Sequence, residues 1–336
     1  MTKTFPVAIV GCGNISQMHF DAYLPHPERI RIVAACDTDP ERVNAVCKRD
    51  ESLQGFTSLE EMIAQASWEV AIVCTPTHVR RPVVEILAKA GKHIFVEKPF
   101  ADTYQDAQSM VAACKQAGVK LAVNQNFRYH YPFDMARNQI ASGSIGSVVS
   151  VIHQDLMFRQ DSGWRTQLQR HALSVMGVHW FDGFRWILQD EAQSVSCDTR
   201  SSAAIQCTGE TEATATVRFT RGTLASYTES FSAFRGRTET LILGETGELV
   251  LNYDTMSLFD RDHRLTPQHL WENPYRGAHK PKATFINLNL LLEAIEQDNE
   301  PANSGNDNLK TIALLEGAYR SAQEHHAIMF HEGLPV

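Results

Sequence analysis

Val7-Ala8-Ile9-Val10-Gly11-Cys12-Gly13-Asn14-Ile15-Ser16 is the stretch that decides the class of this chain. Four consecutive apolar residues, three of them β-branched, read as a strand buried on both faces, as a parallel sheet requires. Pro6 stands where a strand begins, a place that tolerates its missing N–H. The residues after the strand match G-x-G-x-x-G except at the last place, where Ser16 is small enough to let helix and strand pack. Gly11 permits a tight turn, and Gly13 lets a pyrophosphate approach the backbone at a helix N-terminus. Alone, the pattern is equally a structural strand-to-helix turn. Its place between a strand and a helix over residues 14–23 is what points to a nucleotide.

Strand and helix signals then alternate. A strand over 30–36 ends at Asp37, and Asp39 caps a helix that starts with Pro40. A strand over 69–74 ends at Thr75-Pro76, a helix over 79–90 stops at Gly91, and a strand over 93–96 runs into Glu97-Lys98-Pro99. Asp102 is expected to cap the next helix, in which Ala107, Met110, Val111 and Cys114 recur at helical spacing before Gly118 and a strand over 119–123. This rhythm predicts βαβ units, and hence a Rossmann doubly wound parallel sheet over residues 1–124.

In such a sheet ligands bind outside the carboxyl ends of the strands. Asp37 has the spacing of an acid that accepts both ribose hydroxyls of NAD. It would repel a 2′-phosphate, and Thr38-Asp39 supply no arginine to offset it, so NAD is expected over NADP; the alternative is a loop-capping aspartate. The cofactor set read this way is Gly11, Gly13, Asn14, Ile15, Asp37, Thr75, Pro76, His78, Glu97, Lys98 and Asn126. Lys98, at a strand end beside a dinucleotide crevice, suggests proton transfer next to hydride transfer. A surface lysine, or a solvated ion pair with Glu97, is the alternative.

After Asn124 the rhythm changes. Helices are predicted over 133–142, 173–188, 285–297 and 308–325, and strands over 148–154, 192–197, 203–207, 212–219, 223–231, 238–243 and 248–251. Residues 125–336 are therefore expected to form a second, α/β domain with a meandering, largely antiparallel sheet. Segment 266–284 lacks periodicity and reads as an exposed loop able to reach a neighbouring subunit. On the apolar helix His179 and Asp182 share a face, with Gly177 permitting close approach of another backbone. They line a cleft, or His179 is a core histidine and Asp182 pairs with Arg185. Asn126-Phe127-Arg128-Tyr129 orients substrate or anchors a hinge. Trp164-Arg165, with His171, suits a sugar face and its hydroxyls, or an interface.

The chain has 336 residues and a formal charge of −8, which argues against nucleic acid or an anionic membrane as the main partner. The seven cysteines are scattered, with no CxxC, as in a reducing compartment. With a strand beginning at Val7, no room for a signal peptide and no membrane-length apolar run, a cytoplasmic protein is expected. No spacing suggests a zinc site, and G-x-S-x-G is absent, so neither a metal nor a serine hydrolase is expected.

Taken together, these motifs resemble the Gfo/Idh/MocA oxidoreductase family over essentially the whole chain. The resemblance is carried by the Gly11 loop, Thr75-Pro76, Glu97-Lys98-Pro99, the Arg128 region with Gly143 and Gly146, Gly177-x-His179-x-x-Asp182, and Asp307-Asn308-Leu309. It implies an NAD(P)-dependent dehydrogenase acting on the CH–OH group of a sugar, polyol or sugar derivative. By the same resemblance, Lys98 hydrogen-bonds the reacting oxygen, His179 is the acid/base, and Asp182 holds a substrate hydroxyl. The resemblance also implies that residues 125–336 are a substrate-binding and oligomerisation α/β domain, whose open, largely antiparallel sheet forms a homodimer or homotetramer. Val175 stands where the family often has an aspartate, four residues before the histidine. Two other readings of the same residues are elimination or glycoside cleavage through transient oxidation, and a non-catalytic NAD-binding regulator.

Overall fold

Burial on both faces makes the first strand a central one: Phe5, Val7, Ala8 and Ile9 have no access to solvent. The computed structural model describes residues 3–275 and 279–336. Its first elements are β1 (Phe5–Val10), α1 (Asn14–Tyr23), β2 (Ile30–Cys36), α2 (Pro40–Cys47), β3 (Gln54–Phe56), α3 (Leu59–Gln65), β4 (Val70–Val73), α4 (Thr77–Lys89), β5 (His93–Val96), α5 (Tyr104–Ala117) and β6 (Leu121–Val123). The six strands are all parallel, in the order β3-β2-β1-β4-β5-β6. The order reverses between β1 and β4, and that switch point is where the crevice at the carboxyl ends of the strands opens. Helix ends follow local chemistry. Asp39 accepts the Glu41 N–H at 2.9 Å ahead of Pro40, and Gly118 closes α5 in the left-handed conformation at φ +67°. The cap of α5 is Thr103 rather than Asp102: the threonine hydroxyl, one residue later, accepts the Asp106 N–H at 3.1 Å.

The remaining elements are α6 (Phe133–Ala141), β7 (Val148–Phe158), α7 (Val178–Leu188), β8 (Ala192–Arg200), β9 (Glu212–Phe219), β10 (Leu224–Ser230), β11 (Ser232–Gly244), β12 (Gly247–Leu251), β13 (Thr255–Asp260), β14 (His269–Glu272), α8 (His279–Gln297), α9 (Gly305–Glu324), β15 (Ile328–His331) and β16 (Leu334–Pro335). The strands form a ten-stranded sheet, antiparallel except where β7 and β10 run parallel at its middle. Segment 203–207 is turned rather than extended: Ile205 N–H returns to the carbonyl of Ser202 at 3.2 Å. The expected loop 266–284 contains β14, paired with β13, and the start of α8; its residues 276–278 lie outside the described residues. Among the described residues no helix is long and apolar enough to cross a membrane, and all seven cysteines are free thiols.

The chain divides into two compact units, Met1–Asn126 with Ala278–Leu309, and Phe127–Gly277 with Lys310–Val336. It therefore returns to the first unit rather than crossing once near residue 124. The physical reason is the apolar face of α8. Leu288, Leu291 and Leu292 join Phe5, Phe20 and Tyr23 in one buried cluster, Phe285 stacks on His26 at 3.6 Å, and Glu296 takes a two-pronged bond from Arg29.

Within the second unit the face of the large sheet beneath α7 is unexpectedly polar. The register aligns Asp155 with Glu229 and Thr238, and His153 with Tyr227 and Thr240. Burial raises the Glu229 pKa well above the usual carboxyl range, and the Asp155 charge raises it further. Tyr227 OH lies 2.5 Å from its carboxyl. Burial likewise pushes the His153 imidazole down to about 3. A carboxyl whose pKa is raised on folding contributes stability that is intact below its unfolded value, about 4.3, and is lost as pH rises through the folded value. Glu229→Gln is thus expected to gain in melting temperature relative to the parent as pH rises from 4 to 8.5. A difference between the two proteins that stays flat across that range in thermal melts would contradict a neutral Glu229.

Candidate active site

The nucleotide loop is shaped by contact with β4. Gly11 has φ +96°, and a Cβ there would lie 2.9 Å from both the Cys74 carbonyl carbon and the Thr75 nitrogen, so only glycine fits. A Cβ on Gly13 would meet nothing within 4 Å. Gly13 caps α1 without a side-chain bond, and the first turn of α1 carries no acid, which leaves its N–H groups and positive dipole end for an anion. Ser16, at the place of the third glycine, is buried, and its hydroxyl donates to Gly13 O at 2.7 Å. Asp37 accepts Cys12 N–H at 2.7 Å and Asp39 N–H at 3.0 Å, one on each oxygen. It therefore does hold the loop, and each oxygen keeps a lone pair for a ribose hydroxyl. Asn14 and His78 are exposed and Ile15 half-buried around this turn.

At the neighbouring strand ends Thr75 Oγ1 and Asn126 Oδ1 are buried without a hydrogen-bond partner among the described residues, as are both side-chain polar atoms of Gln125. Buried polar groups are rarely left so, and a cofactor with ribose and amide groups would satisfy them. Gln125 was missed in the sequence, where a glutamine after a short strand carries no distinctive signal. The open space at Gly13, the free helix end, the Asp37 carboxylate and these orphaned atoms fit NAD.

Lys98, half-buried, follows a carboxylate that is not part of a solvated pair. Glu97 is buried and binds His19 Nε2 and Asn124 Nδ2, each at 2.7 Å, and the Lys98 N–H at 3.1 Å. Burial works to raise its pKa, but the bonds from His19 and Asn124 outweigh it and hold the carboxyl below the usual range. These bonds, two on one oxygen and one on the other, make Glu97 a support for the backbone that leads into Lys98.

The backbone around Lys98 is fixed by Arg80, a residue that sequence reasoning missed because an arginine on an amphipathic helix reads as a surface group. It is 3% exposed. Its guanidinium donates to the carbonyls of Glu97 at 2.5 Å, Thr75 at 2.6 Å, Phe100 at 3.4 Å, and Pro99. Burial lowers its pKa to about 10, which leaves it charged at neutral pH.

In the second unit His179 is buried on α7, and its imidazole stacks on Phe127 at 3.8 Å between centroids. A wide turn of π-helix, Leu173–Gly177, leads into α7. Gly177 is approached there by the Leu173 side chain and the Tyr227 hydroxyl rather than by backbone. Asp182 does not chiefly pair with Arg185, which lies 3.7 Å away. It takes a two-pronged bond from Arg128 at 2.7 and 2.6 Å and a third from Thr311 at 2.8 Å. Asp182 and Arg128 are 1% and 3% exposed, so the substrate roles expected for them give way to a mutual anchoring role.

Trp164 and Arg165 lie on a 3-10 turn, Gly163–Gln167, with Trp164 exposed and the Arg165 guanidinium 5.6 Å from its ring. Thr166 and Gln167 of that turn border an open, polar cleft of about 450 Å³ lined also by Gln160, Asp161, Gln206 and Thr208. His171 is fully buried: its Nε2 meets Asp161 at 2.9 Å and its N–H reaches Glu210, so it supports the cleft wall rather than a substrate. Burial works to raise the Asp161 pKa, but the bonds from His171 and Arg159 outweigh it and bring it down to about 2.

Residues 5–125 match the family model described as "Oxidoreductase family, NAD-binding Rossmann fold", and residues 133–250 match that of the "GFO/IDH/MocA C-terminal domain". The chain is 29% identical to a D-apiose dehydrogenase of Paraburkholderia graminis, over 97% of this chain and 90% of the relative. It is 23% identical to a myo-inositol 2-dehydrogenase of Thermotoga maritima, over 97% and 98%. Among solved structures, an oxidoreductase from Agrobacterium radiobacter in complex with NAD+, L-tartaric acid and magnesium superposes with a TM-score of 0.88 at 22% identity, covering 97% of this chain and 98% of that one.

Removing one partner of a buried ion pair leaves the other charge uncompensated, at a cost of about 3–5 kcal/mol. Arg128→Ala is expected to lose stability of that order in urea denaturation. A loss below about 1 kcal/mol, the range of an exposed pair, would mean that Asp182 does not depend on Arg128.

Proposed function

Since this chain belongs to the Gfo/Idh/MocA oxidoreductase family and is an NAD-dependent oxidoreductase, we propose that it oxidises a secondary hydroxyl of a small sugar or polyol. The observation that carries the reading is Lys98, half-buried at the end of β5, one strand from the β1–β4 switch point and tied there by Arg80. Relatives named as dehydrogenases of apiose and inositol support the substrate class. NAD, when bound, accepts the hydride. Gly11, Gly13, Asn14 and Ile15 hold its pyrophosphate, Asp37 its ribose, and Thr75, Pro76, His78 and Asn126 line the rest of its site. The Asp37 charge favours NAD over NADP.

The ammonium of Lys98 hydrogen-bonds the reacting oxygen and stabilises the negative charge that develops on it. His179 takes the hydroxyl proton as the C–O bond gains double-bond character. Trp164 and Arg165 supply an aromatic face and donors for the sugar. The first unit is the dinucleotide-binding domain, and the second binds substrate and forms a homodimer or homotetramer through its sheet. The free thiols fit a cytoplasmic enzyme.

The test is a panel of aldoses including D-apiose, inositols and sugar acids, with NAD and with NADP, followed by absorbance of the reduced nicotinamide. Net NADH formation with at least one of them is expected, and turnover without net NADH would favour elimination. Lys98→Ala should lose at least about a hundredfold in kcat, the scale of one transition-state donor, while calorimetry shows NAD binding within about threefold of the parent. Full activity in that variant would refute the role of Lys98.

A further inference from the structure

We propose that His19 is a positioning residue for Lys98. Acting through Glu97, it ties the strand end that carries the lysine to the helix that receives the cofactor, and it keeps the Glu97 carboxylate from capturing the ammonium. The inference rests on the reading of Lys98 as the group that meets the reacting oxygen.

His19 lies in the second turn of α1 and has no access to solvent. Both of its ring nitrogens are engaged. Nε2 lies 2.7 Å from Glu97 Oε1, and Nδ1 lies 2.8 Å from the Tyr23 hydroxyl. An ionised carboxylate can only accept, so Nε2 carries the proton of the first bond whatever the charge of the ring. The Tyr23 hydroxyl donates to Nδ1 of a neutral imidazole or accepts from a protonated one, so that contact also serves both forms. The His19 ring meets Phe95 of β5 edge-on at 6.2 Å and 83°. The imidazole is thus a bridge from α1 to β5.

Glu97 passes the constraint on. Its Oε1 takes Asn124 Nδ2 alongside His19, and its Oε2 folds back onto the Lys98 N–H. All of these residues belong to the unit Met1–Asn126 with Ala278–Leu309. The first turn of α1 is the one left open for a pyrophosphate, so one short helix sets both where the phosphates sit and where the backbone of Lys98 begins. Charge adds a second effect. Glu97 is buried, and the positive charge of Lys98 is among the influences that keep it ionised. Loss of one partner from a buried carboxylate leaves its charge undercompensated. Without His19, one acceptor direction of Oε1 is vacated, and the ammonium of the next residue is drawn toward it at the expense of the reacting oxygen.

The experiment follows single-turnover formation of reduced nicotinamide with the best sugar from the panel above. His19→Leu and His19→Met keep apolar bulk without a donor, and the amide of His19→Gln donates from nearly the position of Nε2. The first two should slow the turnover at least about tenfold, with full NAD occupancy and a Kd for NAD within about threefold of the parent, and His19→Gln should recover most of the loss. Partial misfolding would instead lower NAD occupancy. Glu97→Gln keeps the shape of the side chain but cannot accept from His19, Asn124 and the Lys98 N–H together, and should be slowed as well. Added to Lys98→Ala, His19→Leu should cost no further rate, because its effect passes through the lysine. A general loss of packing would slow both backgrounds alike. Parent-like rates in Glu97→Gln, or in whichever of His19→Leu and His19→Met folds, would overturn the proposal. A further loss of about tenfold in the double variant would overturn it too. Full activity in Lys98→Ala would instead remove the reading of the lysine on which it rests.

Discussion

A guanidinium with almost no access to water ties together the backbone where β4 and β5 end. Arg80 satisfies carbonyls of Thr75, Glu97 and Pro99, none of which belongs to a strand, and so shapes the floor of the crevice at the switch point. Both terminal nitrogens of the guanidinium are met by carbonyls, and turns of irregular backbone supply the carbonyls that a helix or sheet would already have used. The same tie sets the path of the chain through Lys98. On the other side of β5's end, Glu97 is locked to His19 and Asn124, so the residues before and after the lysine are both fixed.

The second unit relies on another buried ion pair. Arg128 and Asp182, fifty-four residues apart, join the turn after the first unit's last strand to α7, and Thr311 extends the network to α9. With Arg185 bonded to Thr311 and to Glu191, the polar side of α7 is consumed in positioning. The helix therefore presents His179 from a fixed axis, with its imidazole stacked on Phe127. Beneath α7 the sheet carries an acid whose charged form burial disfavours, a neutral histidine and their hydroxyl partners rather than a continuous apolar layer. Such a layer is stable only when its members match one another, which links the parallel pairing of β7 and β10 to the seating of Trp180.

Two kinds of feature were hidden from the sequence. The first is the return of the chain to an earlier unit: α8 has an ordinary amphipathic pattern, and nothing local says which sheet its leucines cover. The second is the partner of a charged residue. Asp182 had a helical neighbour at a plausible spacing in Arg185, and only the fold brought the better-placed Arg128 to it. Arg80 likewise looked like one more surface arginine before Arg81. Segment 203–207 shows the opposite error, since a short apolar alternation resembles a strand until a returning hydrogen bond turns it.

The sequence by itself determined the parallel sheet, its glycine turn, the acid at the end of β2 and the lysine at the end of β5. Each is a local pattern whose meaning comes from residues within a turn or strand of one another, where covalent geometry and burial leave few alternatives. Only the tertiary structure decided which buried charges answer each other, which unit owns α8, and what lies against the imidazole of His179. Those outcomes depend on contacts between segments far apart in the chain, and side chains of similar chemistry compete for them until packing selects one.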